Sequence, residues 1–247
     1  DGDIPVEDGG FRTDAPTAPQ LAFHLMCSFA ARYGWRLRTF DCKTAFLTGK
    51  SQDRDIYVRL PKEGLPGVET GSLIKLIKSA YGLREAPRLW YLKAKETIEK
   101  AGFEELRTGR GAFVLRDRTG PEPKLVAILV LHADDTCHAG YGAVCANACK
   151  YIFDHLTIGR HGQDDFTFLG RHVVQLDDCT IMLDQKEFWD TVHSVPMKLE
   201  RMRQSDQKLT PAELAHYRSL VGQLARPARE TMPQLAYAVS NLQQKTS

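Results

Sequence analysis

Apolar residues along this chain switch between a helical and an alternating period, and the switches mark out its elements. Leu21, Leu25, Met26, Phe29, Ala30 and Tyr33 recur at helical spacing, and Gly34 stands where a helix would stop. Residues 36–42 are rich in Phe, Thr and Leu and read as a strand. Pro61, Gly64, Pro66, Gly67 and Gly71 make 60–72 a loop. A second helix is expected from Pro87, a good first helical residue, through Trp90, Ala94, Ile98 and Ala101 to Gly102. A hairpin follows, with arms at 111–117 and 125–131 and a turn across 118–123. Its second arm is almost wholly apolar and is expected to be buried on both faces.

Val144, Ala148, Ile152, Phe153 and Leu156 mark another helix, and 166–182 reads as a strand pair turning near Asp177-Asp178. Two helices complete the chain. One carries Leu214, Tyr217, Leu220, Val221 and Leu224; the other carries Leu235, Ala236, Val239 and Leu242. The first eighteen residues, with Pro5, Pro16, Gly2, Gly9 and Gly10, read as an irregular acidic arm. Strands mixed with helices, without strict βαβ alternation, predict an α+β fold. No internal repeat or low-complexity tract interrupts the pattern.

Composition changes this picture little. At 247 residues the chain is long enough to bury a sizeable core, and its net charge of +2 excludes a polycation. Charge is unevenly placed, however. Residues 71–118 carry eleven Lys/Arg against six Asp/Glu, which suits a phosphate-bearing partner and equally a solvated surface. Cys27, Cys42, Cys137, Cys145, Cys149 and Cys179 show no paired spacing, so reduced thiols and an intracellular, cytoplasmic or nuclear setting are expected. No apolar run approaches the roughly 18–20 residues that span a bilayer, so no membrane association and no secretion are expected.

The chemistry-bearing feature is Asp134-Asp135, at the end of the apolar strand. Adjacent carboxylates there repel one another and call for a cation or a raised pKa. Hard divalent ions favour such oxygen ligands. A plain turn accounts for the pair equally well, because Asp is a common turn residue. Asp41 ends another predicted strand 93 residues earlier. If both strands end at one sheet edge, three carboxylates meet, and such a cluster holds two metals roughly 3.5–4 Å apart for in-line phosphoryl displacement.

Five ordered motifs resemble the copia-type retrotransposon reverse transcriptases. They are Phe40-Asp-Cys-Lys-Thr-Ala-Phe-Leu-Thr-Gly49; Asp55-Ile-Tyr-Val58 before Pro61; Leu76-Ile-Lys-Ser-Ala-Tyr-Gly-Leu-Arg-Glu-Ala-Pro-Arg-Leu-Trp-Tyr91; Phe168-Leu-Gly170; and Tyr217-Arg-Ser-Leu-Val-Gly222. The resemblance spans about residues 14 to 245, and the Tyr81–Tyr91 signature is specific alone. It implies a right-hand polymerase: an acidic arm (1–18), a palm with partial fingers (19–165), and a primer-grip hairpin with a helical thumb-like region (166–247). It implies RNA-directed DNA polymerase activity on an RNA or DNA template with primer, using deoxynucleoside triphosphates. Asp41, Asp134 and Asp135 fall on the catalytic, metal-holding carboxylates for two Mg2+ or Mn2+ ions. Cys42, Lys43, Thr44, Ala45, Phe46, Tyr81, Gly82 and Arg84 fall on nucleotide-binding positions. Phe46 falls where a bulky ring excludes a 2′-hydroxyl, a core Phe being the alternative. Phe168, Leu169 and Gly170 fall on the primer grip, while Pro87, Trp90 and Tyr91 read as helix packing. Other segments of a retrotransposon polyprotein are the further partners it implies.

Three departures stand against the family pattern. The basic upstream fingers segment is expected to be missing; His132-Ala133 replaces an aromatic and a small aliphatic residue; Thr231-Met-Pro-Gln234 replaces Thr-Arg-Pro-Asp. They leave open a catalytically inert, nucleic-acid-binding remnant. A metal-dependent hydrolase built on His132, Asp134, Asp135 and His138 is the remaining alternative.

Overall fold

The computed structural model describes residues 13–60, 62–194, 197–204 and 206–245, so most of the expected acidic arm, residues 1–12, lies outside the described residues. The chain folds into two compact units. One takes the residues up to Asp164 together with Gln175–Thr180, and the other takes Asp165–Val174 and the chain from Ile181 on.

The first unit is built on a six-stranded antiparallel sheet. Its strands are β1 (Arg36–Cys42), β4 (Phe103–Leu106), β5 (Gly109–Asp117), β6 (Lys124–His132), β7 (Asp135–Gly140) and β8 (Ile158–Gln163), and their order is β4-β5-β6-β7-β1-β8. Helices α1 (Gln20–Tyr33), α3 (Ala86–Lys100) and α4 (Gly142–His155) cover it. Phe40, Leu129, Leu131, Phe113 and Leu115 pack with Trp90, Ala94 and Ile98 of α3 and Cys145, Ala148 and Ile152 of α4 in one buried cluster. Strand alternation sends Leu37, Ile128, Val130, Cys137 and Ala139 to the opposite face, where α1 lies on β1, β6 and β7. Its buried residues Phe23, Met26, Cys27 and Ala30 form a single stripe. Coverage on both faces explains why β6 is apolar almost throughout.

Gly34 ends α1 in the left-handed conformation, φ 69°, and its N–H bonds to the Ala30 carbonyl. Short α2 (Ala45–Thr48) follows β1, and a separate two-stranded ribbon pairs β2 (Ser51–Arg59) with β3 (Leu73–Lys78). The sequence pattern does not announce β3; its leucines, isoleucines and lysines are largely exposed, so no buried stripe advertises it. The segment 175–180 returns to this unit. The Gln175 side chain accepts from the Leu37 N–H at 2.8 Å and donates to the Trp35 carbonyl at 2.9 Å.

The second unit holds a three-stranded sheet ordered β11-β10-β9: β9 (Asp165–Phe168), β10 (Arg171–Gln175) and β11 (Ile181–Asp184). The expected strand pair of 166–182 is thus three strands, with an additional turn at Leu169-Gly170. Short α5 (Lys186–Trp189) and α6 (Leu199–Met202) lead to α7 (Pro211–Glu230) and α8 (Ala236–Gln243). α7 opens with a capping box: the Thr210 hydroxyl accepts from the Glu213 N–H while the Glu213 carboxylate accepts from the Thr210 N–H. Among the described residues no helix is long and apolar enough to cross a membrane.

Candidate active site

The residues Asp41, Asp134 and Asp135 lie at one end of the six-stranded sheet. β7 lies between β6 and β1, and register places Asp135 opposite Asp41 on one side and His132 on the other. Directly opposed residues share a face, with β-carbons roughly 4.5–5.5 Å apart. Ala133 and Asp134 form the two-residue turn from β6 to β7. Ala133 takes a positive φ of 53°, which costs a residue with a side chain about 1 kcal/mol. Both peptide planes around Asp134 are held from outside the turn. The Trp90 indole N–H donates to the Ala133 carbonyl at 2.8 Å, and the Cys42 N–H donates to the Asp134 carbonyl at 3.1 Å.

Electrostatics agree with this proximity. Burial, then the charges of Asp134 and Asp41, push the Asp135 carboxyl above its ordinary value, against a smaller pull from His132 and Arg160. The Cys42 thiol is pushed up to about 12, first by burial and then by Asp41 and Asp134, so it stays neutral. The Asp41 carboxylate turns toward β8. Its Oδ1 accepts from the Arg160 backbone N–H, and a β-carbon on Gly159 would lie 2.6 Å from that oxygen. Only glycine leaves room for the carboxylate there.

The donor chemistry suits a hard divalent cation: Asp41 and Asp135 are opposed in register, Asp134 adjoins them, and burial, then the neighbouring carboxylates, raise the Asp135 pKa. As the side chains stand, no three His, Cys, Asp or Glu groups among the described residues converge in metal-binding geometry.

The expected nucleotide-binding residues come from two segments. Cys42 and Ala45 are buried, and Lys43 and Thr44 are exposed, Thr44 with a positive φ of 49° before α2. Phe46 is half-buried beside the core and meets Tyr81 edge-on, ring centroids 5.4 Å apart. The Ser79 hydroxyl donates to the Phe46 carbonyl, which ties the second segment to the first. Tyr81 is 63% exposed, Gly82 has φ 91°, and Arg84 is exposed. Pro87 is half-buried, and Trp90 and Tyr91 are buried.

Phe168, Leu169 and Gly170 lie together in the second unit. Phe168 is buried, while Leu169 (φ 54°) and Gly170 (φ 70°) make the β9–β10 turn. Positive φ at both turn residues suits a tight hairpin. Arg226 of α7 donates to the Leu169 carbonyl at 2.8 Å, and a β-carbon at Gly170 would lie 2.7 Å from its guanidinium.

Sequence reasoning misses three participants. Trp90 reads as helix packing, yet its indole also holds the carboxylate turn. Gly159 carries no signal beyond being a glycine in a strand. Lys93 donates to the Thr48 carbonyl at the end of α2, and its ammonium pKa is lowered by burial and then by the charge of Lys78. Apolar periodicity reports none of these interactions.

The hydrolase alternative fails on strand geometry. Asp135 and His138 are three residues apart in β7 and therefore point to opposite faces. His138 is 2% exposed, and its pKa is lowered to about 4, chiefly by burial, so it is a neutral core side chain.

Residues 6–213 match the family described as reverse transcriptase (RNA-dependent DNA polymerase). The Retrovirus-related Pol polyprotein from transposon RE1 of Arabidopsis thaliana is 26% identical over 94% of this chain, and that from transposon RE2 of the same plant is 24% identical over 94%. The chain spans 16% of the length of each. Among solved structures, telomerase from Candida albicans, in complex with a fragment of telomeric RNA, is similar with a TM-score of 0.41 at 9% identity, over 95% of this chain and 44% of that one. With most of its length matched to that family and its relatives drawn from retrotransposon polyproteins, the chain belongs to the copia-type reverse transcriptase (RNA-dependent DNA polymerase) family.

Proposed function

We propose that this chain is the RNA-directed DNA polymerase region of a copia-type retrotransposon polyprotein, with Asp41, Asp134 and Asp135 as its catalytic carboxylates. The observation that carries this reading is the register of β1 and β7, which sets Asp41 opposite Asp135 although they are far apart in sequence. In this reading the first unit contributes the palm, with the β2–β3 ribbon as partial fingers. The second contributes the primer-grip turn at Phe168–Gly170 and thumb-like helices. Asp41, Asp134 and Asp135 would hold two Mg2+ or Mn2+ ions, which would supply Lewis-acid stabilisation in phosphoryl transfer.

The remaining roles fall to the chain's own groups. Phe46, braced edge-on by Tyr81, lies under the sugar of the incoming deoxynucleotide and excludes a 2′-hydroxyl. Lys43 and Arg84, both exposed, meet its phosphates. The turn at Leu169-Gly170, fixed by Arg226, presents backbone groups to the primer strand. Template, primer, deoxynucleoside triphosphates and neighbouring polyprotein segments are the partners, in an intracellular setting.

Purified protein given Mg2+ or Mn2+, a primed RNA template and deoxynucleotides should lengthen the primer, and Asp135→Asn should abolish the extension. A folded sample that leaves the primer unextended overturns the reading. One observation favours a second reading, the inert remnant: an Asp41 carboxylate oxygen is already taken by the Arg160 backbone N–H. Its signature is binding of template–primer that weakens steeply with salt and yields no product.

A further inference from the structure

The indole of Trp90 is 1% exposed within the cluster that joins α3 to the sheet, and shape alone would account for an apolar ring there. Its nitrogen does something more specific. The N–H donates at 2.8 Å to the carbonyl of Ala133, the strained residue immediately before Asp134. That carbonyl belongs to the peptide plane on the N-terminal side of Asp134. The plane on the C-terminal side is held by the Cys42 N–H, at 3.1 Å from the Asp134 carbonyl. With both planes pinned, the Cα–Cβ direction of Asp134 is set by groups outside the turn. Without the indole N–H, the first plane would be free to rotate and Ala133 free to relax from its positive φ.

Trp90 is itself firmly seated. The Lys50 N–H donates to the Leu89 carbonyl at 3.2 Å, and a β-carbon at Gly49 would lie 3.0 Å from the Trp90 backbone nitrogen. The loop after α2 therefore presses directly on the start of α3. The path runs from the segment that follows Asp41, through Trp90, to the turn that carries Asp134.

We propose that Trp90 is a positioning residue for the carboxylate site: its indole N–H aims Asp134 by holding the Ala133–Asp134 peptide. This rests on the polymerase reading, in which Asp134 is a metal ligand. Partners that orient metal ligands in this indirect way typically account for about 10–100-fold in metal affinity.

Two replacements isolate the hydrogen bond. Trp90→Phe keeps an aromatic ring and removes the donor. Incorporation of 3-benzothienylalanine at position 90 replaces only the N–H by sulfur and preserves the shape, so it decides the matter if Trp90→Phe does not fold. The first readout is Mn2+ binding to the protein without nucleic acid, followed by electron paramagnetic resonance, with Asp134→Asn as reference. The second is primer extension over a range of template–primer concentrations up to saturation.

Both replacements should weaken Mn2+ binding by about tenfold. They should lower kcat while leaving KM for template–primer and the circular dichroism spectrum unchanged. Unaltered Mn2+ binding and kcat in the folded benzothienyl protein, with Asp134→Asn losing both, would overturn the role of Trp90 alone. No Mn2+ binding by the unaltered protein, or binding that survives Asp134→Asn, would overturn the metal-site reading and this inference with it.

Discussion

Asp135 faces Asp41 across one strand pair and follows Asp134 along the other direction, so its charge is opposed from two sides. Like charges directly opposite in a sheet destabilise it by up to about 1 kcal/mol. Asp135→Asn should therefore raise the melting temperature of the metal-free protein while abolishing primer extension, and a lowered melting temperature would contradict the opposition described. Gly159→Ala tests the other carboxylate. Its added β-carbon, 2.6 Å from Asp41 Oδ1, must displace either the carboxylate or β8. Since a misplacement of about 1 Å at a reacting centre costs on the order of a hundredfold in rate, extension should fall at least about tenfold with the fold retained. Acids at the ends of predicted strands are legible in the sequence, because the apolar runs before them show where strands stop. Gly159 and the Trp90 N–H are not. Their significance lies in distances across the sheet, and no local period encodes which backbone a glycine faces or where an indole nitrogen points.

Among elements, α1, β1, the β5–β6 hairpin, α3, α4 and α7 are legible within a few residues, because each carries a one-sided or fully apolar pattern and a recognisable start or stop. The β9–β10 turn is legible only through the resemblance at Phe168–Gly170 and not in the local pattern, since Leu169 at a positive φ contradicts the usual preference for Asn, Asp or Gly. That three-stranded sheet also carries a pH-sensitive tie. His172 on β10 lies 2.8 Å from Asp165 on β9 and 3.1 Å from Asp184 on β11, bridging all three strands. Hydrogen bonding to Asp165, then to Asp184, raises its pKa above the ordinary histidine value. The imidazolium is favoured in the folded state, so its contribution is complete below about pH 6.5 and fades as pH rises through the folded pKa. The side chains are substantially exposed, which holds the effect well under about 1 kcal/mol. Urea midpoints should fall slightly between pH 6 and pH 8, and His172→Gln should flatten that slope. An unchanged slope in the variant would refute the tie.

For the whole molecule, the sequence conveys an α+β chain but neither the strand order nor the path between its two units. Three bases of residues 71–118 are paired locally, Lys95 with Glu105 at 2.6 Å, Lys100 with Glu96 at 2.7 Å, and Arg116 with Glu104 at 2.7 Å, but these acids belong to the same segment, so its basic surplus stands. Linear charge counts overlook such pairing because the partners come from neighbouring turns and strands. The return of the chain at Gln175 is equally invisible in the pattern, yet its amide serves two backbone groups next to β1. A chain ended after Asp164 should therefore melt several degrees below one ended after Thr180, with two hydrogen bonds worth about 0.5–1.5 kcal/mol each removed. Equal melting temperatures would show that water replaces the amide at no cost.

That return also governs how such a sequence can be inherited in pieces. A recombination joint placed after Asp164 imports whatever the donor carries at position 175, and a donor without an amide there deprives the Leu37 N–H and the Trp35 carbonyl of their side-chain partner at once. Joints beyond Thr180 carry no such penalty, so surviving chimaeras should favour them.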